Sequence, residues 1–134
     1  MKDRPCPFCD KIENGVPFAR NHYAAAILDG FPISEGHLLV VPIRHEADFF
    51  NLNKMEQAAV MSLLRQSRAT IKILLRAQGK EIDGFNVGIN IGEAAGQTVG
   101  HAHVHLIPRF KGDVQDPRGG VRWIIPGKAK YWKD

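Results

Sequence analysis

The chain has 134 residues, of which 44% are hydrophobic and 24% are charged, an ordinary composition for one globular domain. Its net charge of +4 suits anionic ligands but does not by itself indicate a nucleic-acid partner. No apolar run approaches the roughly 20 residues of a membrane span. The N-terminus, MKDRPCPFCD, lacks the apolar stretch of a signal peptide. We therefore expect a cytoplasmic protein without a membrane-spanning segment.

The first distinctive feature in chain order is the pair Cys6 and Cys9. In a reducing compartment a C-x-x-C spacing indicates metal binding or redox chemistry rather than a structural disulfide. A thioredoxin-like redox role is disfavoured because the surrounding βαβ pattern is missing. Two thiols that bind no metal remain the alternative to a metal site.

Two apolar runs follow and predict a pair of antiparallel strands. Residues 23–29 form the first run, and residues 37–43, HLLVVPI, form the second. The loop between them, residues 30–36, contains Gly and Pro and is short enough to join two neighbouring strands.

The next segment predicts one long helix. Asn53 is a good N-cap residue, and Glu56 three positions later completes a capping-box pattern. Val60, Leu64 and Ile71 then recur at helical spacing. Gly79 is a natural stop at the C-terminal end.

Two further strands are predicted over residues 85–91 and 101–107, where apolar and polar residues alternate. If they pair across the Gly-rich loop 92–100, Asn86 and Asn90 share a face with the histidines, and Gly88 leaves room for a ligand. Strands before and after one long helix imply an α+β fold built on an antiparallel sheet. A last apolar run, residues 121–125, is expected to add a strand.

His101, His103 and His105 alternate with apolar residues in the predicted last strand of this sheet. Such an arrangement places titratable rings about 6.6 Å apart on one face and contributes little to a core. A metal site and a catalytic site acting on an anion both remain open. The catalytic interpretation is preferred, because rings on one flat strand converge on a single metal only through a twist or bulge.

The segment GQTVGHAHVHLIPR, residues 96–109, resembles the histidine-triad (HIT) motif, and GHLLVVP, residues 36–42, resembles another strand of that family. The resemblance covers about residues 6–109. It implies one HIT-like domain over residues 1–134, with a core at about 6–110 and a tail at 111–134. It also implies a nucleotide substrate, nucleotidyl transfer or hydrolysis, and, by family habit, a homodimer.

The resemblance assigns roles to individual residues. His103 would attack the α-phosphorus and form a covalent nucleotidyl-histidine, while His105 and His37 bind phosphate oxygens or assist the leaving group. The remaining substrate contacts implied are phosphate binding by Asn90, Gln97 and Thr98, ribose binding by Asp29, and a purine pocket lined by Phe8, Ile27 and Leu28. Core packing is the alternative for the last three. A structural zinc ion would be held by Cys6, Cys9, His45 and His101.

Gln97-Thr98 and Pro108-Arg109 make the chain most similar to the dinucleoside-polyphosphate hydrolases of the family. The expected reaction is cleavage of a diadenosine polyphosphate or a related nucleotide conjugate. An aminoacyl-nucleotide phosphoramidase, a phosphorylase and a non-catalytic nucleotide-binding module are the alternatives on the same fold. A nucleic-acid end-processing enzyme is disfavoured because the chain has no room for a basic extension. A protein that serves only as a zinc-binding adaptor is also disfavoured, because His103 and His105 would then have no role.

Overall fold

The computed structural model describes residues 5–133. Its strands and helices, in chain order, are α1 (Pro7–Asn14), β1 (Ala19–Arg20), β2 (Ala24–Leu28), β3 (Leu38–Pro42), α2 (Lys54–Ala77), β4 (Gly84–Ile89), β5 (Val104–Arg109) and α3 (Pro126–Ala129). Among these described residues, no helix combines the length and apolar character needed to cross a bilayer.

The five strands form one sheet in the order β1-β2-β3-β5-β4, and every neighbouring pair is antiparallel. This arrangement confirms the predicted α+β class. The predicted pairing of the first two apolar runs is also confirmed, with Ala24 opposite Pro42 and Leu28 opposite Leu38. In the middle of the sheet, His105 lies between Leu39 of β3 and Gly88 of β4.

The two faces of the sheet are covered by different helices. On one face, Leu38, Val40 and Leu106 pack in the main core with residues of α2 such as Leu63 and Ile71. On the other face, a smaller apolar cluster joins residues of β2 and β3 to the start of the chain, namely Cys6, Phe8, Ala25, Ile27, Leu39 and Val41. Because strand residues alternate between faces, His105 lies on the α1 side, away from α2.

Helix α2 begins where the sequence predicts. The side chain of Asn53 accepts a hydrogen bond from the backbone N–H of Glu56 at 2.8 Å, and the Glu56 carboxylate accepts one from the N–H of Asn53 at 3.0 Å. This reciprocal capping box satisfies two N–H groups that the helix itself cannot pair. The carboxylate of Glu56 also accepts two hydrogen bonds from Arg44, each of 3.0 Å.

Gly36 lies at the end of the β2–β3 loop, directly before His37. Its φ is +84°, and a Cβ placed there would lie 2.9 Å from Cγ1 of Ile71 and 3.3 Å from Cδ1 of Leu75. Glycine is therefore required here twice, for the left-handed backbone and for the close approach of the loop to α2.

Several strand boundaries differ from the prediction, and two of these differences affect the position of predicted site residues. The last strand begins at Val104 and not at His101, and β4 ends at Ile89, so Asn90 follows it. The chain before Val104 leaves the sheet because its polar groups bond elsewhere. The N–H of Ala102 donates to the carbonyl of Glu46 at 2.6 Å, outside the ladder. The three histidines therefore do not share one flat strand.

The expected strand at residues 121–125 is wrong, because the segment Gly120–Ile124 forms a 3₁₀ helix. Gly119 and Gly120 have φ values of +94° and +50°, which turn the chain out of an extended path. The indole N–H of Trp123 donates to the carbonyl of Arg118 at 2.7 Å. Arg122 donates to the carbonyl of Ala129 at 2.8 Å, so the tail folds back on itself.

Candidate functional site

His103 has a fixed tautomer. Its Nδ1 lies 2.8 Å from the backbone carbonyl of His101, and because a carbonyl only accepts, Nδ1 carries the hydrogen. The neutral ring therefore has its lone pair on Nε2. The ring is buried, with 7% of its surface exposed, and packs edge-on against Phe8 at 5.0 Å between centroids. These contacts leave Nε2 as the nitrogen available to a ligand.

His37 and His105 form a second hydrogen-bonded pair. Nδ1 of His37 accepts from the backbone N–H of Ile33 at 3.2 Å, so Nε2 carries the hydrogen of the neutral ring. That Nε2 lies 3.0 Å from Nδ1 of His105 and 3.3 Å from Oδ2 of Asp29. Donation to His105 places the hydrogen of that ring on its Nε2.

Burial lowers the pKa of His37 below its ordinary value, although the nearby Asp29 carboxylate opposes the shift. Burial also lowers the pKa of His105, and the neighbouring rings of His103 and His37 add to this effect. Both rings are consequently neutral near pH 7 in the unliganded protein. A bound anion would favour their protonated forms.

Asp29, His37 and His105 bring three possible ligand atoms within 4.8 Å of one another. A metal would need the lone pair of Nε2 on His37, and the hydrogen would then have to move to Nδ1. Nδ1 of His37 accepts a hydrogen bond from the N–H of Ile33. A hydrogen on Nδ1 would therefore point at the hydrogen of that N–H and break the bond. With both rings neutral and hydrogen-bonded as observed, the trio therefore forms a hydrogen-bond network and not a metal site.

A cavity of about 350 Å³ lies beside His103 and His105. Four of the residues predicted to contact substrate line it together with these histidines, namely Phe8, Asp29, Asn90 and Thr98. Lys11, on α1, also lines this cavity and adds a positive charge. Its side chain donates to the carbonyl of Leu28 at 3.3 Å. Sequence analysis missed Lys11, because the helix that carries it was not predicted.

Three residues predicted to contact substrate lie elsewhere. Gln97 is buried and does not line the cavity: its amide donates to the carbonyls of Ala47 and Val99 at 2.9 and 3.0 Å and accepts from the N–H of Gly92 at 2.8 Å. Gln97 thus braces the Gly-rich loop, and its expected phosphate contact stays a prediction. Ile27 and Leu28 line a separate groove, and Ile27 belongs to the smaller apolar cluster.

A second cavity, of about 420 Å³, adjoins the first, and both His37 and His105 line it. Asn86 and Gly88 of β4 form part of its wall, and Val121 and Ile124 of the tail form another part. The sequence predicted Asn86 and Gly88 on the histidine face, and residues of the tail also reach this position.

Four side chains form a separate cluster next to His103. The sulfur and ring-nitrogen atoms of Cys6, Cys9, His45 and His101 all lie within 4.8 Å of one another. Nδ1 of His101 is 3.5 Å from each sulfur and 3.2 Å from Nδ1 of His45, which is 3.3 Å from Sγ of Cys9.

The tautomer of His101 suits a metal ligand. Its Nε2 donates to the carbonyl of Pro42 at 2.7 Å, which leaves the lone pair of Nδ1 directed at the cluster. A tetrahedral ion with bonds of about 2.3 Å to sulfur and 2.0 Å to nitrogen would place its ligand atoms about 3.3–3.8 Å apart. The observed separations are close to these values, so the four residues could hold a metal ion.

Comparison with known proteins agrees with this geometry. A family model described as HIT domain matches residues 14–112. The chain belongs to the HIT family. An AP-4-A phosphorylase of Mycobacterium tuberculosis, a HIT relative, is 37% identical over 102 residues, which are 75% of this chain and 50% of that protein. The chain therefore spans about half the length of this relative.

Two solved structures of the HIT family are similar over almost the whole chain. A HIT family protein from Bacillus anthracis has a TM-score of 0.74 at 29% identity, and the alignment covers 99% of this chain and 84% of that protein. A Zn-bound histidine triad family protein from Mycobacterium smegmatis has a TM-score of 0.68 at 29% identity, and the alignment covers 99% of this chain and 85% of that protein.

Proposed function

We propose that this HIT protein is a nucleotidyl hydrolase that cleaves a nucleotide conjugate through a covalent intermediate on His103. The observation that carries the proposal is the hydrogen bond from Nδ1 of His103 to the carbonyl of His101, 2.8 Å long. It leaves Nε2 as a nucleophile in a cavity that Asp29, Asn90 and Thr98 also line. Asp29 would contact the ribose, and Asn90 and Thr98 the phosphate.

In the first step, Nε2 of His103 forms a bond to the α-phosphorus, and the bond from phosphorus to the leaving atom breaks with its electron pair on that atom. The hydrogen on Nδ1 stays in place, so the adduct is a cationic imidazole that the carbonyl of His101 stabilises. Water then attacks phosphorus, and the electron pair of the N–P bond returns to Nε2. Splitting one displacement into two lowers each barrier.

The His37–His105 pair would handle the protons. A polyphosphate leaves as an anion and needs none, whereas an amine leaving group needs one. A protonated pair, favoured by the bound phosphate and by Asp29 at 3.3 Å from His37, would supply that proton from Nε2 of His105. Its additional hydrogen would lie on Nδ1 of His37, so the hydrogen bond from the N–H of Ile33 would break in this state. With an amine, the pair would recover a proton from the attacking water in the second step and end the cycle unchanged; with a polyphosphate, it would pass that proton on to solvent.

Two classes of leaving group are candidates. Similarity to an AP-4-A phosphorylase favours a dinucleoside polyphosphate, and Lys11 beside the first cavity supplies a cation for it. The apolar second cavity favours a conjugate with an uncharged leaving group, as in a nucleoside phosphoramidate. If phosphate resolved the intermediate in place of water, the same site would act as a phosphorylase.

We also propose that the Cys6, Cys9, His45 and His101 cluster binds structural zinc, supported by the donor chemistry and by the Zn-bound relative. Its four protein ligands leave no open position for water. A homodimer is proposed from the family resemblance. Strand β4 is an edge of the sheet, and sedimentation equilibrium would show whether the protein is monomeric.

The testing experiment is product analysis with wild type and His103→Ala. The substrates are diadenosine tri- and tetraphosphate and adenosine phosphoramidate, each with and without inorganic phosphate. Release of AMP that depends on His103, with a radiolabelled nucleotidyl adduct trapped by acid-free quenching, supports the hydrolase. ADP formed only with phosphate identifies the phosphorylase. Nucleotide binding without turnover would reject an enzyme and leave a binding module.

A further inference from the structure

We propose that Glu56, acting through Arg44, is a positioning residue for His103. Its carboxylate lies at the start of α2 and lines neither of the two cavities beside the histidines, so it acts without touching a ligand. The inference rests on the proposed role of His103 and adds the part of the chain that holds its ring in place.

The peptide group between His101 and Ala102 is the last link to His103. Its C=O accepts from Nδ1 of His103 at 2.8 Å, and its N–H donates to the carbonyl of Glu46 at 2.6 Å. Because a peptide group is planar, its C=O and N–H turn together. The carbonyl of Glu46 therefore sets the direction of the hydrogen bond that orients His103.

The segment that supplies this carbonyl, residues 44–48, has no regular structure of its own. It follows β3, precedes a 3₁₀ turn at Phe49–Asn51, and belongs to no helix or strand. It also makes a second contact with the chain before His103, because the carbonyl of Ala47 accepts from the amide of Gln97 at 2.9 Å. A segment without a hydrogen-bonded ladder needs side chains to fix its position.

Arg44 supplies that restraint. Its Nε and Nη2 each donate to the carboxylate of Glu56 at 3.0 Å. Nη2 also donates to the carbonyl of Asn51 at 3.3 Å, and Nη1 lies 3.7 Å from Oε1 of Glu46. One planar guanidinium thus joins the segment to α2 in a fixed orientation, which a paired carboxylate enforces better than a single contact.

Glu56 has two separable roles. Its residue surface is 4% exposed, and its carboxylate accepts one further hydrogen bond, from the N–H of Asn53 at 3.0 Å. A glutamine at this position could still complete the capping box. Its NH₂ group would instead meet an N–H of Arg44, a donor against a donor. Glu56→Gln therefore breaks the paired contact with Arg44 and keeps the helix cap.

Asn53→Ala is the matched control, because it makes the opposite change. It removes the oxygen that accepts from the N–H of Glu56 at 2.8 Å and leaves the Arg44–Glu56 pair intact. Its loss should lower the free energy of unfolding, as the loss of an N-cap normally does. A purely structural role for Glu56 predicts similar effects of both variants on the reaction.

The first measurement is steady-state kinetics on adenosine phosphoramidate, with thermal unfolding of each protein. We expect Glu56→Gln to lower kcat about 10-fold and to change KM less than about 2-fold, since misplacing a catalytic group by about 1 Å can cost about 100-fold in rate. Arg44→Lys should behave in the same way, because lysine cannot make the paired contact. Asn53→Ala should keep the kcat of wild type.

The second measurement does not depend on turnover. Hydrogen exchange of the Ala102 amide and the NMR signal of the hydrogen on Nδ1 of His103 report the two hydrogen bonds directly. Glu56→Gln and Arg44→Lys should speed exchange at Ala102 about 10-fold and shift the His103 signal. Asn53→Ala should change neither, after correction for its lower global stability.

Equal losses of kcat in Glu56→Gln and Asn53→Ala would overturn the positioning role, as would an unchanged Ala102 amide and His103 signal in Glu56→Gln. A fall in kcat that added zinc reverses would also overturn it, because the effect would then arise from the metal cluster. If Glu56→Gln does not fold, Arg44→Lys decides the question with the capping box intact. Wild type without any His103-dependent turnover would reject the proposed function, while exchange and NMR would still decide the positioning role.

Discussion

The carbonyl oxygen of His101 accepts a hydrogen bond from Nδ1 of His103 at 2.8 Å, while the ring of His101 belongs to the cysteine–histidine cluster. One residue thus fixes the tautomer of His103, the proposed nucleophile, with its backbone and offers a possible metal ligand with its side chain. Whatever holds the ring of His101 also holds the carbonyl that orients His103.

Replacing His103 by Ala should reduce turnover by at least about 1,000-fold, because it removes the nucleophile. Single-turnover kinetics and mass analysis of the adduct would measure the effect. His22→Ala is the matched control: His22 is exposed and contacts Tyr23 edge-on, with 4.6 Å between the ring centroids. Turnover retained by His103→Ala would contradict the assignment, provided that its thermal unfolding matches that of wild type.

Cys6→Ser should lower the metal content of the purified protein from about one zinc per chain toward zero, because a four-ligand site loses an anionic sulfur. Elemental analysis measures the metal, and thermal unfolding with and without a chelator measures its effect on stability. Chelation should destabilise wild type and leave Cys6→Ser unchanged. Equal metal content in the two proteins would rule out this ligand set.

Metal removal should also reduce kcat more than it weakens nucleotide binding. Without the metal the ring of His101 is no longer held, and the carbonyl of the same residue, which orients His103, becomes free to move. Isothermal titration with AMP and steady-state kinetics on the same chelated sample would separate the two. Weakened binding with unchanged kcat would show that the cluster supports the nucleotide cavity and not the nucleophile.

Gln97→Ala should lower the free energy of unfolding by about 1–3 kcal/mol, since it leaves backbone groups of Ala47, Val99 and Gly92 without partners. Urea unfolding would measure the loss, and hydrogen exchange should increase in the loop 92–100. Gln66→Ala, on the exposed surface of α2, is the control. An effect on phosphate affinity alone, with stability unchanged, would restore the phosphate role that the sequence suggested.

Stability should depend on pH through His37 and His105. Burial lowers the pKa of each ring in the folded protein, so at low pH the unfolded chain binds more protons than the folded one. The contribution of these neutral rings is complete above about pH 6.5, the ordinary pKa of histidine, and is lost as the pH falls toward the folded values.

Urea unfolding between pH 5 and 8 should therefore show a smaller loss of stability at acid pH for His37→Asn than for wild type. The stability of His22→Asn should change with pH in the same way as that of wild type. Any metal lost at low pH would affect all three proteins, so the comparison between them removes its contribution. Parallel curves for wild type and His37→Asn would refute the burial argument.

The features that sequence analysis predicted depend on local patterns. The alternation of Val104 and Leu106 with polar residues defines β5, and the Asn53–Glu56 pair defines the start of α2. The family resemblance grouped His45 with Cys6 and Cys9, which the structure brings together.

The features that were missed depend on contacts between distant parts of the chain. No local sequence pattern around Gln97 indicates that its amide donates a hydrogen bond to the carbonyl of Ala47. His101 leaves the strand because Pro42 and the cysteines hold its ring, although the alternation continues through it. The tail lies beside Asn86 because the complete fold brings Gly120 close to strand β4, a contact between residues far apart in the sequence.

Gly36 connects the long helix to the catalytic face by direct contact. A Cβ there would overlap Ile71 and crowd Leu75, and the next residue is His37, whose ring nitrogen lies 3.0 Å from His105. The helix and the histidine pair lie on opposite faces of the sheet, yet this backbone position contacts the helix directly and precedes His37 in the chain. A substitution that enlarges Ile71 or Leu75 would therefore press on Gly36 and displace His37 before it reached any other residue of the histidine pair.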